Sequence, residues 1–152
     1  MRICKNLCLS VLLVAIAACN LERPPPTPEE RVRATIAAIE AAAEERSLSG
    51  VMDHIVDDYR DHNGNLKEDL RRLVQLQYIR NQAITIFTSI QSLEINGDTA
   101  AVELSAAMAG RDVDLNDEAN RLRADIKQFS VVLRDVDGTW MVESASWDQS
   151  WE

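Results

Sequence analysis

Asp57, Asp58, Tyr59, Asp61 and His62 fall within one short stretch and form the sequence's clearest cluster with acid–base potential. Histidine titrates near neutrality, and a carboxylate buried beside it is pushed up to meet it. If this stretch lines an apolar pocket, Asp58 or His62 is the base and Tyr59 the hydrogen-bond donor, which makes Asp58, Tyr59 and His62 the candidate catalytic residues. Turn chemistry alone also accounts for Asp, His, Asn and Gly standing together from Asp61 to Asn65, and it is the simpler account. His54 and Asp58 are four apart, a spacing that chelates a metal when both lie on one helix face. No second histidine or cysteine completes the set, so a surface ion pair is the plainer reading. Asp112, Asp114, Asn116, Asp117 and Glu118 look superficially like a calcium loop. Counted from Asp112, the sixth and twelfth positions are Asp117 and Arg123, where such a loop needs glycine and glutamate. The expectation is therefore no metal and no cofactor.

Trp140 and Trp147 are the other residues of note. Seven apart, they point to opposite faces of an ideal strand, so one is expected in the core and the other on a ligand or partner face. Trp151 lies in a short tail, residues 149–152, where an aromatic ring gains nothing unless it docks.

The elements that must position these residues are legible from hydrophobic spacing. Thr27-Pro28-Glu29-Glu30 predicts a helix start, with Thr27 as cap, Pro28 in the first turn and Glu30 closing a capping box. Val32, Ile36, Ile39 and Ala43 form its apolar stripe, and the helix should stop near Ser47 to Gly50. A second helix is expected from Leu48 to Tyr59, and a third from a cap at Asn65, burying Leu66, Leu70, Leu73 and either Val74 or Leu76. The period then changes to two. Ile84, Ile86 and Ile90 share one parity and Leu93 and Ile95 the other, so the strand from about Ala83 to Ile95 must contain a bulge. Asn96-Gly97-Asp98 predicts a hairpin, followed by alternation from Ala100 to Met108. A charged loop should occupy 110–123. Strands at 126–136 and from Trp140 onward are joined at Asp137-Gly138. The fold class is thus α+β, with three N-terminal helices followed by a four-stranded antiparallel sheet.

Helices first, then a long bent strand, then hairpins ending in Gly138-Thr139-Trp140-Met141-Val142 resemble the nuclear transport factor two-like superfamily, also described as a cystatin-like cone. Trp140, Val142 and Trp147 carry the resemblance at the last strand, and Asp57-Asp58-Tyr59-Arg60 carries it at the end of the second helix. It spans residues 29–148 and implies a strongly curved sheet wrapped around the helices, an apolar interior and a homodimer formed through the sheet. Ketosteroid isomerases belong to this superfamily and use an aspartate base with a tyrosine and a protonated aspartic acid. Those three positions have no counterparts here by motif.

The amino terminus supplies an address. Arg2 and Lys5, an uncharged run from Leu7 to Ala18 and the small residues before Cys19 have the three-part layout of a secretory signal. The run is too short to cross a bilayer, which takes ~20 residues. Ile16-Ala17-Ala18-Cys19 resembles the lipobox of bacterial lipoproteins. The resemblance implies cleavage after residue 18, lipidation of Cys19 with palmitate-type acyl chains and, with Asn20 rather than aspartate following, a place at the outer membrane facing the periplasm. Residues 19–28 form a proline-rich tether. Loss of residues 1–18 leaves fourteen basic against twenty-five acidic side chains, a net charge of −11. Such an excess argues against nucleic acid, which needs clustered Lys and Arg, and against anionic lipid heads. The membrane is therefore expected to hold this chain through the anchor alone. The sequence points to a non-catalytic module for a small apolar ligand or an envelope protein. The rivals are a proton-transfer enzyme of isomerase, dehydratase or cyclase type and an accessory subunit of an envelope complex.

Overall fold

A computed structural model describes residues 24–81, 83–109 and 125–147. The expected signal at 1–18, Cys19, the expected charged loop at 110–123 and the expected tail with Trp151 lie outside the described residues.

Helix α1 spans Pro28–Glu44 and starts as its sequence dictates. The Thr27 hydroxyl accepts from the Glu30 amide at 3.2 Å, and the Glu30 carboxylate accepts from the Thr27 amide at 2.7 Å. This reciprocal cap satisfies two amides that the helix leaves open. At the other end Ser47 N–H bonds to the Ala42 carbonyl and Arg46 N–H to that of Ala43, a Schellman closure with Arg46 at φ 58°. The chain turns directly into α2, Leu48–Met52, capped by the Ser47 hydroxyl. A methyl group on Gly50 would stand 2.8 Å from the Ser47 oxygen and 3.0 Å from Ala42 Cβ, so a glycine is what lets α2 close onto α1.

The second helix is shorter than expected. It ends at Met52, and the backbone beyond it pairs with the last strand, β4 (Thr139–Trp147). Val142 N–H donates to His54 O, Val56 N–H to Val142 O, Arg60 N–H to Glu143 O and His62 N–H to Ala145 O, at 2.8–3.3 Å. The 54–62 segment thus covers the outer edge of β4, which would otherwise be open for another chain to pair with. His54 and Asp58 accordingly do not share a helix face. Helix α3, Lys67–Arg80, starts one residue later than predicted, because the Asn65 side chain is taken by Asp61 and the Leu66 amide bonds to Asp69 instead.

Strands β1 (Thr85–Asn96), β2 (Thr99–Ala109), β3 (Asp125–Val136) and β4 form one antiparallel sheet in the order β1-β2-β3-β4. Two-residue turns join β1 to β2, with Gly97 at φ 65°, and β3 to β4, with Asp137 and Gly138 both at positive φ as a type I′ turn requires. The predicted bulge is present. Ile90 opposes Leu104 and Ser92 opposes Glu103, which leaves Gln91 unpaired and swaps the parity of the strand. A second bulge, absent from the sequence reading, leaves Glu143 unpaired between Val142 and Ser144. Each extra residue bends its strand and increases the local twist.

One face of the sheet carries the core. Val32 and Ile36 of α1, Val51 and Met52 of α2, and Ile55, Val56 and Tyr59 pack on Ala100, Val102, Leu104, Val131, Leu133, Trp140 and Val142. Every one of these core residues lies between Thr27 and Trp147, so the segment from Pro24 onward supplies its own hydrophobic centre. Helix α3 sits at the margin: only Tyr78 is buried, Leu70 and Val74 pack against the core, and Leu66 and Leu73, expected to be buried, are exposed because the helix covers only the edge of the core.

Candidate functional site

The residues singled out from the sequence do not converge. Asp58 lies on the surface, its carboxylate 2.7 Å from the Arg134 guanidinium, which also holds Glu143 at 2.8 Å. That hydrogen bond keeps the Asp58 carboxyl below its usual range. Tyr59 turns the other way and is 1% exposed inside the core. Burial, and secondarily the charge of Asp61, push its phenol well above the ordinary value. His62 is exposed and meets Trp147 edge-on, with ring centroids 5.2 Å apart.

Asp61 explains why these side chains part. Its Oδ1 accepts from the Asn63 and Asn65 amides at 2.9 and 2.8 Å, and its Oδ2 from the Asn65 side chain at 2.7 Å. A carboxylate accepting three local bonds is a turn organiser. It closes the 61–65 loop and sets His62 against β4.

The Glu143 bulge corrects the expectation for the tryptophans. With one residue looped out, Trp140, Val142, Ala145 and Trp147 pair with Asp135, Leu133, Val131 and Phe129, so both tryptophans face the helices. Trp140 is 2% exposed and anchors the closed end. Its indole N–H and the Tyr59 hydroxyl are buried with no hydrogen-bond partner among the described residues. Trp147 is half-buried and lies 6.2 Å from the Phe129 ring.

Burial falls off along this face toward one end of the sheet. Rows through Ala100 and Val102 are largely buried, the row of Leu104 ends in the half-buried Phe129 and Trp147, and the next row holds the half-buried Thr88 and Ala106. Here the Thr88 hydroxyl bonds to the Glu40 carboxylate of α1, and Ile86 N–H bonds to Glu44 at 2.8 Å. Lys127, 5% exposed, occupies the same row as Thr88 and Ala106. Phe129, Trp147 and His62 thus form an aromatic rim at this end of the face, with the polar groups of Thr88 and Lys127 in the adjoining row. Sequence reasoning missed Lys127, Thr88 and Glu40. The signal was parity, since Lys127 alternates in step with Phe129, Val131 and Leu133. Among the described residues no group of three His, Cys, Asp or Glu is placed to hold a metal ion.

No protein-family model matches the chain, and comparison with curated proteins finds no match. Solved structures do match. An NTF2-like protein of unknown function from Shewanella oneidensis MR-1 aligns with a TM-score of 0.62 at 11% identity, covering 80% of this chain and 98% of that one. A cystatin-like protein of unknown function from Nostoc punctiforme aligns at 0.62 with 18% identity over 82% and 95%. A candidate dehydratase of the NTF2-like family from Streptomyces avermitilis aligns at 0.63 with 18% identity over 81% and 97%. The fold is therefore the NTF2-like, cystatin-like cone, and at these identities the likeness speaks for fold alone.

Proposed function

We propose that this chain is a lipid-anchored, periplasm-facing binding module that takes a small apolar ligand at the open end of its cone, without catalysing a reaction. The observation that carries the reading is the aromatic rim. Trp147 and Phe129 lie half-buried on the helix-facing side of the sheet with His62 against Trp147, the kind of apolar surface with a few polar groups nearby that small-molecule sites use. Proton transfer needs its acid and base within reach of one substrate atom. Asp58, Tyr59 and His62 instead point outward, inward and along the rim, which favours binding over the isomerase or dehydratase alternative. The anchor is inferred from the signal layout and Cys19, with the fold starting only eight residues later at Thr27.

Two experiments test this. A thermal-shift screen of residues 24–152 against decanol and other neutral apolar amphiphiles should find ligands that raise the midpoint, because binding to the native state alone stabilises it. A uniformly flat screen contradicts the ligand reading. Mass spectrometry of the membrane-extracted protein should find the chain beginning at an acylated Cys19, and an unmodified thiol there contradicts the anchor.

A further inference from the structure

At its amino end strand β3 turns its side chains against their polarity. Ile126 faces solvent at 59% exposure, whereas Lys127, the next residue, is 5% exposed on the helix-facing side. Lysine is among the side chains least often buried, and a buried charge is costly unless polar partners surround it. Elsewhere this sheet changes its parity with an extra residue, at Gln91 and at Glu143. Between Lys127 and Leu133 the register against β2 runs without a shift, so the strand that turns Phe129, Val131 and Leu133 inward turns Lys127 inward with them. A cation is thus held on the apolar face where a one-residue bulge would have put isoleucine.

That place adjoins the aromatic rim. Phe129 follows two residues along the same face, ~7 Å away at the rise of a strand, and Trp147 stands opposite Phe129. In its own row Lys127 is followed by Ala106 and then Thr88, both small. Thr88 gives its hydroxyl to Glu40 and stands two strands from Lys127, ~10 Å at ordinary strand spacing, so that carboxylate is held at the far side of the row. Lys127 already interacts within the chain. An ammonium carries three donors on a flexible stem, so a further acceptor can share it.

We propose that the ligand of the rim is a monoanionic amphiphile, an apolar chain or ring ending in one carboxylate. Its body lies on Phe129 and Trp147, and its carboxylate meets the Lys127 ammonium one row away. The inference rests on the reading of the rim as a ligand site and names the class of ligand. Apolar contact alone favours a neutral amphiphile over the corresponding carboxylate, whose charge must be desolvated. A charge-assisted hydrogen bond from a buried ammonium reverses that order. The reversal is diagnostic here, because a chain of net charge −9 repels anions as a whole.

The test compares decanoate with decanol, which share an alkyl chain, by calorimetric titration of residues 24–152. Decanoate should bind about tenfold tighter than decanol. Lys127→Met, which keeps the length of the side chain and removes its charge, should bind decanoate no tighter than decanol. A measurement on the wild-type chain covers the case in which that variant does not fold. Lys67 and Lys127 are the two lysines of the segment, so lysine isotope-labelled at Cε gives one resonance for each. Decanoate should shift the Lys127 resonance and leave that of Lys67, which is held by the Ile55 carbonyl and Asp57, in place. Three results overturn the inference and leave the ligand reading standing: decanol binding with decanoate no tighter, a preference that survives Lys127→Met, or a Lys127 resonance that bound decanoate leaves unmoved. Failure of both ligands to bind overturns the ligand reading and this inference with it.

Discussion

Trp147 stands directly opposite Phe129 across the β3–β4 ladder, and it does so because Glu143 is looped out of register. Strict alternation would have turned Trp147 to the other face of the sheet, away from Phe129 and the helices. Deleting Glu143 should therefore move Ala145 and Trp147 off the core face and abolish cooperative unfolding. Glu143→Ala keeps the extra residue and should cost no more than about 1 kcal/mol, since it removes only a half-buried, solvent-screened ion pair with Arg134. Chemical denaturation of the two variants separates the outcomes.

Tyr59 lends itself to a different comparison. Its hydroxyl has no partner among the described residues, so Tyr59→Phe should be neutral or stabilising by up to ~1 kcal/mol. Tyr59→Ala empties a core position and should cost ~3–5 kcal/mol. A large loss in the phenylalanine variant would show that the hydroxyl is bonded after all.

The same phenol gives a pH signature. Its pKa is raised above the ordinary 10.0 by burial, then by Asp61, so the folded state holds the proton more tightly than the unfolded chain. The stability this contributes is complete below pH 10 and is lost as pH rises through the folded value. Tyr78 adds in the same direction, its phenol raised by burial against the opposing charge of Arg46. Thermal unfolding above pH 10 should fall more steeply in the wild-type chain than in Tyr59→Phe.

Asp61→Ala should cost ~2–4 kcal/mol, because the Asn63 and Asn65 amides and the Asn65 side chain lose one shared acceptor. The 61–65 turn should loosen and His62 leave Trp147. Faster amide exchange confined first to residues 60–66 would report this.

Asp58 behaves in the opposite sense to Tyr59 and to little effect. Its carboxyl is held below the ordinary 3.8 by the Arg134 hydrogen bond, so its contribution is present above that pH and lost as pH falls through the lower folded value. The pair is at the surface, and Asp58→Asn should scarcely change the melting temperature at neutral pH in moderate salt.

How much of this was legible in the sequence depends on what each signal encodes. The Thr27–Glu30 cap, the hairpins at Gly97 and Gly138 and the bulge near Gln91 are local, and their residues state them directly. The early end of α2 is not local. His54 to Tyr59 read as helical by apolar spacing, but the open edge of β4, about 80 residues later, draws the backbone of this segment into pairing. The Glu143 bulge is hidden because nothing in Val142-Glu143-Ser144 breaks an apolar run. It alone moves Trp147 from the predicted opposite face to the one it shares with Trp140. The cluster from Asp57 to His62 was visible as chemistry, but the Asp61 turn that scatters it depends on three-dimensional hydrogen bonding. Helix α3 was found by its spacing, but which of its apolar residues pack inward was not, since Leu73 and Leu76 are exposed while Leu70 and Val74 face the protein.

Titration of residues 24–152 with a neutral naphthylamine probe, followed by the probe's emission, tests the central claim most directly. Binding should saturate, Trp147→Ala should weaken it at least tenfold, and Phe87→Ala, on the other face of the sheet, should leave it unchanged. Equal binding by all three proteins, or none by the wild-type domain, would contradict a ligand site at the aromatic rim.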